Sequence, residues 1–220
     1  DPAKLAQFCL QATEDEIMFQ DPSTIAAFIM EPVLGAGGVI VPHETFMPGI
    51  RALCDKYGIL LISDEVITGF GRTGDWSGAR HWKVKPDMMT CAKAITSAYY
   101  PFGATMIGEK VAEVFENDET GAASIGHGYT YSAHPVGAAA AIACLNETKR
   151  MELNINAKER GAQIFDAVNQ LKNKYDIIGD VRGGHGLMTA LEFVSDQTSK
   201  TPLDNASMAK IQKTAYENGA

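Results

Sequence analysis

Four short apolar runs constrain this chain more than any other feature: Ile25–Met30 (IAAFIM), Ile59–Ser63 (ILLIS), Asp87–Ala92 (DMMTCA) and Gly103–Gly108 (GATMIG). Each has the length of a strand and is too short for a helix, and helices or long loops separate them. A strand that is apolar on both sides has to be covered on both faces. That is the condition of a parallel or mixed sheet in an α/β domain. Between the first two runs, Phe46, Ile50, Leu53 and Tyr57 recur at helical spacing, and Gly58 closes the pattern. Another helical pattern opens the chain, from Ala3 to Ala12.

After His134-Pro135 the texture changes. VGAAAAIACLNETKR reads as a small-residue helix, and the helix after it carries Ile164, Val168, Leu171 and Tyr175 on one face. Gly186–Val194 (GLMTALEFV) alternates as a strand, and NASMAKIQKTAYENG forms a last helix with Gly219 as its cap. A boundary between Pro135 and Met151 follows. It gives residues 1–135 to a sheet domain, and residues 136–220 to a connecting helix and a smaller α+β domain.

The 220 residues carry a net charge of -8, which argues against nucleic acid or an anionic membrane as partner. Cys9, Cys54, Cys91 and Cys144 are scattered, without metal-ligand spacing, and read as core residues of a reducing compartment. No apolar run has the length to span a bilayer, and no signal-peptide pattern opens the chain, so the expected location is cytoplasmic. The chain starts at Asp1-Pro2 without a Met and stops just after a helix cap, so the expectation is a piece of a longer protein.

Within ILLISDEVITGFGRTG, the residues Gly69, Gly71 and Gly74 spell the spacing of a dinucleotide-phosphate loop. The context is wrong for one. Asp64 to Thr68 separate the strand from Gly69, no helical pattern follows Gly74, and Asp87 opens the next strand instead of ending it. A Walker A loop is excluded too, because no Lys-Ser/Thr follows. Attention moves to Asp64-Glu65, where a buried strand empties at its carboxyl end, the place where open α/β sheets bind ligands.

An isolated acidic pair ordinarily resolves into one loop cap and one solvated carboxylate, and a strand-end lysine ordinarily snorkels to the rim. Lys93, however, lies just beyond the apolar run Asp87–Ala92 and is expected to be partly desolvated, a potential amine nucleophile. An Asp at one strand end and a Lys at the next suggest an aldehyde cofactor held between a Schiff-base lysine and a pyridinium-binding aspartate.

At these residues the chain resembles the class III (omega-type) aminotransferases, enzymes of fold type I that use pyridoxal 5'-phosphate. The resemblance is carried by EPVLGAGGVIVP (Glu31–Pro42), LLISDEVITGFGRTGDW (Leu60–Trp76), KPDMMTCAKAITSAYYPFGA (Lys85–Ala104), HGYTYSAHPVGAAAA (His127–Ala141) and GDVRGGHGLM (Gly179–Met188). It implies a mixed, mostly parallel sheet domain covered by helices and a smaller α+β C-terminal domain, both incomplete here. Asp64 would bind the pyridine nitrogen, Val66 would pack on the ring, and Lys93 would be the Schiff-base lysine. Thr130 would reach the cofactor phosphate of the partner subunit in a homodimer. Gly69, Gly71 and Gly74 would let their loop fold closely around the site, and RGGHGLM would be structural.

The implied reaction moves an amino group from an amine or omega-amino acid to a keto acid such as pyruvate. Ala36, where other branches carry a Glu paired to an Arg, favours the pyruvate-dependent branch. Ala94 and Ala98 stand where many relatives have Gly, a change expected to be tolerated. The phosphate cup, the ring-stacking aromatic and a substrate-binding Arg of such enzymes have no counterpart among these residues. Other reactions on the same machinery (decarboxylase, racemase, aminomutase) and a non-catalytic module stay open.

Overall fold

A computed structural model describes residues 1–219. Its first sheet has the order β1 (Ala27–Met30), β2 (Leu60–Asp64), β3 (Met88–Cys91) and β4 (Ala104–Ile107). β1, β2 and β3 run parallel, and β4 returns antiparallel to β3. The four apolar runs are therefore the four strands of one mixed, mostly parallel sheet, three of them trimmed by a residue or two and β2 shifted by one to take in Asp64.

Helix α1 (Pro2–Phe19) begins where the Asp1 carboxylate accepts the Ala3 N–H at 2.9 Å. It runs past the expected Ala12 because Ile17, in its last turns, is buried in the main core. Helix α2 (Phe46–Tyr57) ends on Gly58 in the left-handed conformation, φ 70°, and buries Met47, Ile50 and Cys54 against Ile59 and Leu61. Trp82 and Val84 complete this layer from the segment between β2 and β3. On β2, Leu61 and Ser63 are buried while their neighbours are half-buried. Toward β3 and β4, Ala141 of α4 (Pro135–Arg150) packs with Cys91 and Ile95. Coverage is uneven: Ile29, Met106 and Ile107 stay exposed. All four cysteines are free, and burial pushes the Cys91 thiol up to about 11.

A short α3 (Glu109–Glu116) follows β4, and none of its residues is buried. The last third of the chain holds α5 (Leu153–Lys174), the antiparallel sheet β5 (Ile178–His185), β6 (Met188–Asp196), β7 (Thr201–Pro202), and α6 (Asn205–Glu217). β5 is not apparent from the sequence, because glycines at 179, 183 and 184 mask its pattern. α5 buries Ala157 and Gly161 rather than the expected stripe, of which Ile164, Leu171 and Tyr175 remain substantially exposed. Small residues are needed there, since a Cβ at Gly161 would lie 1.8 Å from the Gly186 carbonyl oxygen.

The two sheets meet at that turn. A Cβ at Gly186 would stand 2.4 Å from the Thr73 carbonyl carbon, and the Leu187 N–H donates to the Arg72 carbonyl at 2.9 Å. Met188 enters the main core, and the His185 ring lies 4.9 Å from His81 and 5.4 Å from Trp82. The G-x-G-x-x-G loop is thus a seat for the second sheet.

Asp87, just before β3, ties three elements together. Its carboxylate accepts the Leu61 N–H at 2.8 Å and pairs with Arg51 of α2 at 2.7 Å. Burial alone would raise this carboxyl, but the Leu61 N–H and the Arg51 guanidinium outweigh it and hold it below the usual carboxylate range. The depressed carboxyl stabilises the fold at neutral pH, and that contribution is lost as pH falls through its folded value. Asp87→Asn leaves Arg51 half-partnered and should cost about 3 kcal/mol. Urea unfolding at pH 7 checks this, and the gap between mutant and parent should shrink in acid.

Candidate active site

β2 ends in Asp64, whose register partner on β3 is Thr90. Partners in register present their side chains on the same sheet face, so Asp64 and Thr90 share one face of the sheet. Asp64 Oδ1 accepts the Val66 N–H at 3.0 Å, which turns the chain off the strand. Val66 is half-buried. Thr90 Oγ1 is buried without a hydrogen-bond partner among the described residues.

Lys93 follows Thr90 at the start of a 3-10 turn, Lys93–Ile95. The sequence-derived pair therefore sits at the carboxyl ends of neighbouring parallel strands. Lys93 is exposed, and this corrects the expectation of a desolvated lysine: the turn lifts it off the strand end between Ala92 and Ala94, too small to cover it. No ion pair among the described residues involves it.

Lys93, Ser97 and Ala98 adopt φ values of 47°, 47° and 62°. Non-glycine residues in this left-handed region cost on the order of 1 kcal/mol each. The turn is closed by Thr96, which donates through its N–H to the Lys93 carbonyl at 3.2 Å and through Oγ1 to the Tyr100 carbonyl at 2.7 Å. The alanine at 98 is accommodated, at the cost of a strained backbone. Ala98→Gly should raise stability by about 0.5–1 kcal/mol, visible as a higher Tm.

Glu65 is the residue whose part the sequence did not reveal. Only 1% exposed, it is neither a solvated carboxylate nor a simple cap. Oε1 accepts from Ser63 Oγ at 3.0 Å and the Ala79 N–H at 2.9 Å. Oε2 accepts from Thr68 Oγ1 and from the Gly78 N–H at 2.7 Å. Its own N–H donates to the Thr90 carbonyl at 2.9 Å. The signal lay in the hydroxyls flanking it, Ser63 before and Thr68 after. Glu65→Gln would turn an amide N–H toward the Gly78 or Ala79 N–H, donor against donor. A loss of about 2–3 kcal/mol is expected, read by denaturant unfolding.

The loops leaving β1 and β2 line an open cleft of about 360 Å³ with Gly35, Ala36, Ile67 and Arg72 on its walls, to which Leu187 and Thr189 of the β5–β6 hairpin contribute. Thr130 is not brought to Asp64 or Lys93. It lies in an exposed turn before α4, with no side-chain hydrogen bond among the described residues. An aromatic bridge links that turn to the Lys93 segment: Tyr131 faces His134 at 6.3 Å, and His134 Nδ1 meets the Tyr100 hydroxyl at 3.3 Å. Among the described residues no group of His, Cys, Asp and Glu could hold a metal ion, and no helix is long and apolar enough to cross a membrane.

This architecture has known counterparts. The model of the aminotransferase class-III family matches residues 3–220, and the chain belongs to that family. It is 46% identical over 203 residues to an uncharacterized aminotransferase of Sinorhizobium fredii, covering 90% of this chain and 43% of the relative. It is 42% identical over 201 residues to a diaminobutyrate–2-oxoglutarate transaminase of Halomonas elongata, covering 91% and 43%. Among solved structures, an amine transaminase from an uncultivated Pseudomonas species in its PLP-bound form aligns with a TM-score of 0.88 and 46% identity, over 94% of this chain and 46% of that one. The chain thus spans less than half the length of these relatives.

Proposed function

We propose that the protein to which this chain belongs is a pyridoxal 5'-phosphate-dependent transaminase that moves an amino group from an amine or omega-amino acid to a keto acid, with pyruvate as the preferred acceptor. The observation that carries this reading is the placement of Asp64 and Lys93 at the ends of adjacent parallel strands. The residues present fit the cofactor. Asp64 and a Thr90 hydroxyl without a partner among the described residues share one sheet face, and Lys93 has no carboxylate to neutralise it among the described residues. Family membership and the PLP-bound structural neighbour support the same assignment.

When bound, the cofactor supplies an electron sink for the electrons left as a donor's Cα–H bond breaks. Asp64 would accept a charge-assisted hydrogen bond from the ring N–H and hold the proton there. Lys93 Nζ would anchor the cofactor's aldehyde carbon, and once displaced would take the proton from the donor's Cα. Val66, next to Asp64, would support the ring face. A second copy of the chain is proposed to bring Thr130 to the neighbouring phosphate. The exposure of Tyr99, Tyr129, Tyr131, Val136 and Ile142 around that turn supports such a partner surface.

Ala36 supports pyruvate through the resemblance, because it removes the Glu that other branches pair with a switching Arg, whereas the Halomonas relative is named for 2-oxoglutarate. In the holoenzyme, Lys93→Ala should abolish alanine formation from pyruvate and an amine. Asp64→Asn should keep the cofactor and lose about 10²–10³-fold in turnover. Near-normal rates in either variant would overturn these roles, and faster turnover with 2-oxoglutarate would overturn the acceptor.

A further inference from the structure

We propose that Arg182 is a specificity-determining positioning residue: its hydrogen bond to the Gly38 carbonyl fixes the tip of the Glu31–Pro42 loop, and with it the width of the cleft that Ala36, Val39 and Ile67 line. The inference rests on the transaminase reading above and names what sets its substrate size.

The loop leaves the carboxyl end of β1 and is closed at its base. Leu34 and Ile40 exchange backbone hydrogen bonds of 3.0 Å each, and Glu31 accepts the Gly35 N–H at 2.9 Å. The tip itself, Gly35-Ala36-Gly37-Gly38, has almost no side chain with which to anchor itself. Gly38 has φ +110° and Val39 has φ +52°. A β-branched residue in the left-handed region is an outlier that persists only where its surroundings impose it.

Arg182 imposes it from the second sheet. Its Nε donates to the Gly38 carbonyl at 2.8 Å, across 144 positions of sequence. Nη1 is held from behind by Glu192 and lies 3.7 Å from Asp180, so the guanidinium has little freedom to follow the tip. The tip follows the guanidinium. A Cβ at position 38 would lie 3.3 Å from Arg182 Nη2, so glycine is what allows the approach. Ala36 on this tip faces the same cleft as Ile67, which follows Asp64 on the next loop. Arg182 therefore acts through the loop that shapes the cleft.

The test compares the holoenzyme with Arg182→Met, which keeps the aliphatic stem and removes the donor. kcat/KM with pyruvate is measured for isopropylamine and for 1-phenylethylamine, together with hydrogen exchange at the Gly38 and Val39 amides, both of which donate to the Gly35 carbonyl at 3.2 Å. The proposal expects the ratio of the two kcat/KM values to change about tenfold and those two amides to exchange about tenfold faster. Adding Val39→Gly, which adopts the left-handed conformation without strain, should restore much of the ratio. Turnover that falls equally for both amines, or an unchanged ratio with unchanged exchange, overturns the proposal. Should Arg182→Met not fold, Glu192→Gln loosens the same guanidinium and must shift the ratio in the same direction. A parent enzyme that transaminates no amine would sink the functional reading instead, while the exchange measurement still decides whether Arg182 holds the tip.

Discussion

A buried carboxylate without a cation organises the rest of the site. Glu65 is surrounded by two hydroxyls and two backbone N–H groups, and its own backbone is tied to β3. Burying a charge among neutral dipoles is tolerable only when every bond to it is made. The arrangement is therefore close to all-or-none. The loop from Asp64 to Ala79 has this shape, or the charge is left orphaned. Asp64, one residue earlier, inherits its place at the strand end from that closure, and so does the turn that carries Trp82 into the core.

The fold was legible where pattern and burial agree. The four apolar runs became four strands because their length and punctuation admitted little else, and Gly58 stops α2 as its position implied. Where glycine serves close approach, the pattern failed. β5 is broken by glycines that let the hairpin bulge, and α5 turns Gly161 inward because the backbone turn at Gly186 lies against it. Hydrophobicity marks what a helix could bury, while the small residues mark what it does bury here.

For the candidate site, the placement of Asp64 at the end of β2 and of Lys93 just past β3 was legible because strand ends in an open sheet have a known polarity. Glu65 was not, because a carboxylate satisfied by hydroxyls and amides leaves no oppositely charged partner in the sequence. The glycine motif packs against the carboxyl-terminal elements. Its actual neighbours, Asn154 and Lys158 of α5 beside Gly71 and Gly74, lie more than eighty positions further along and have no local signature.

The bond between Arg182 and Gly38 spans 144 positions, and that separation has a temporal meaning. Closing so long a loop costs entropy that nearby contacts do not. A chain that emerges from its amino end can pair β1, β2 and β3 before the arginine has been made. Those strands are then paired while the left-handed step at Val39 still lacks the contact that sustains it. Ligand recognition would mature later than the scaffold, with the carboxyl-terminal unit acting as the last clasp on a loop already laid down.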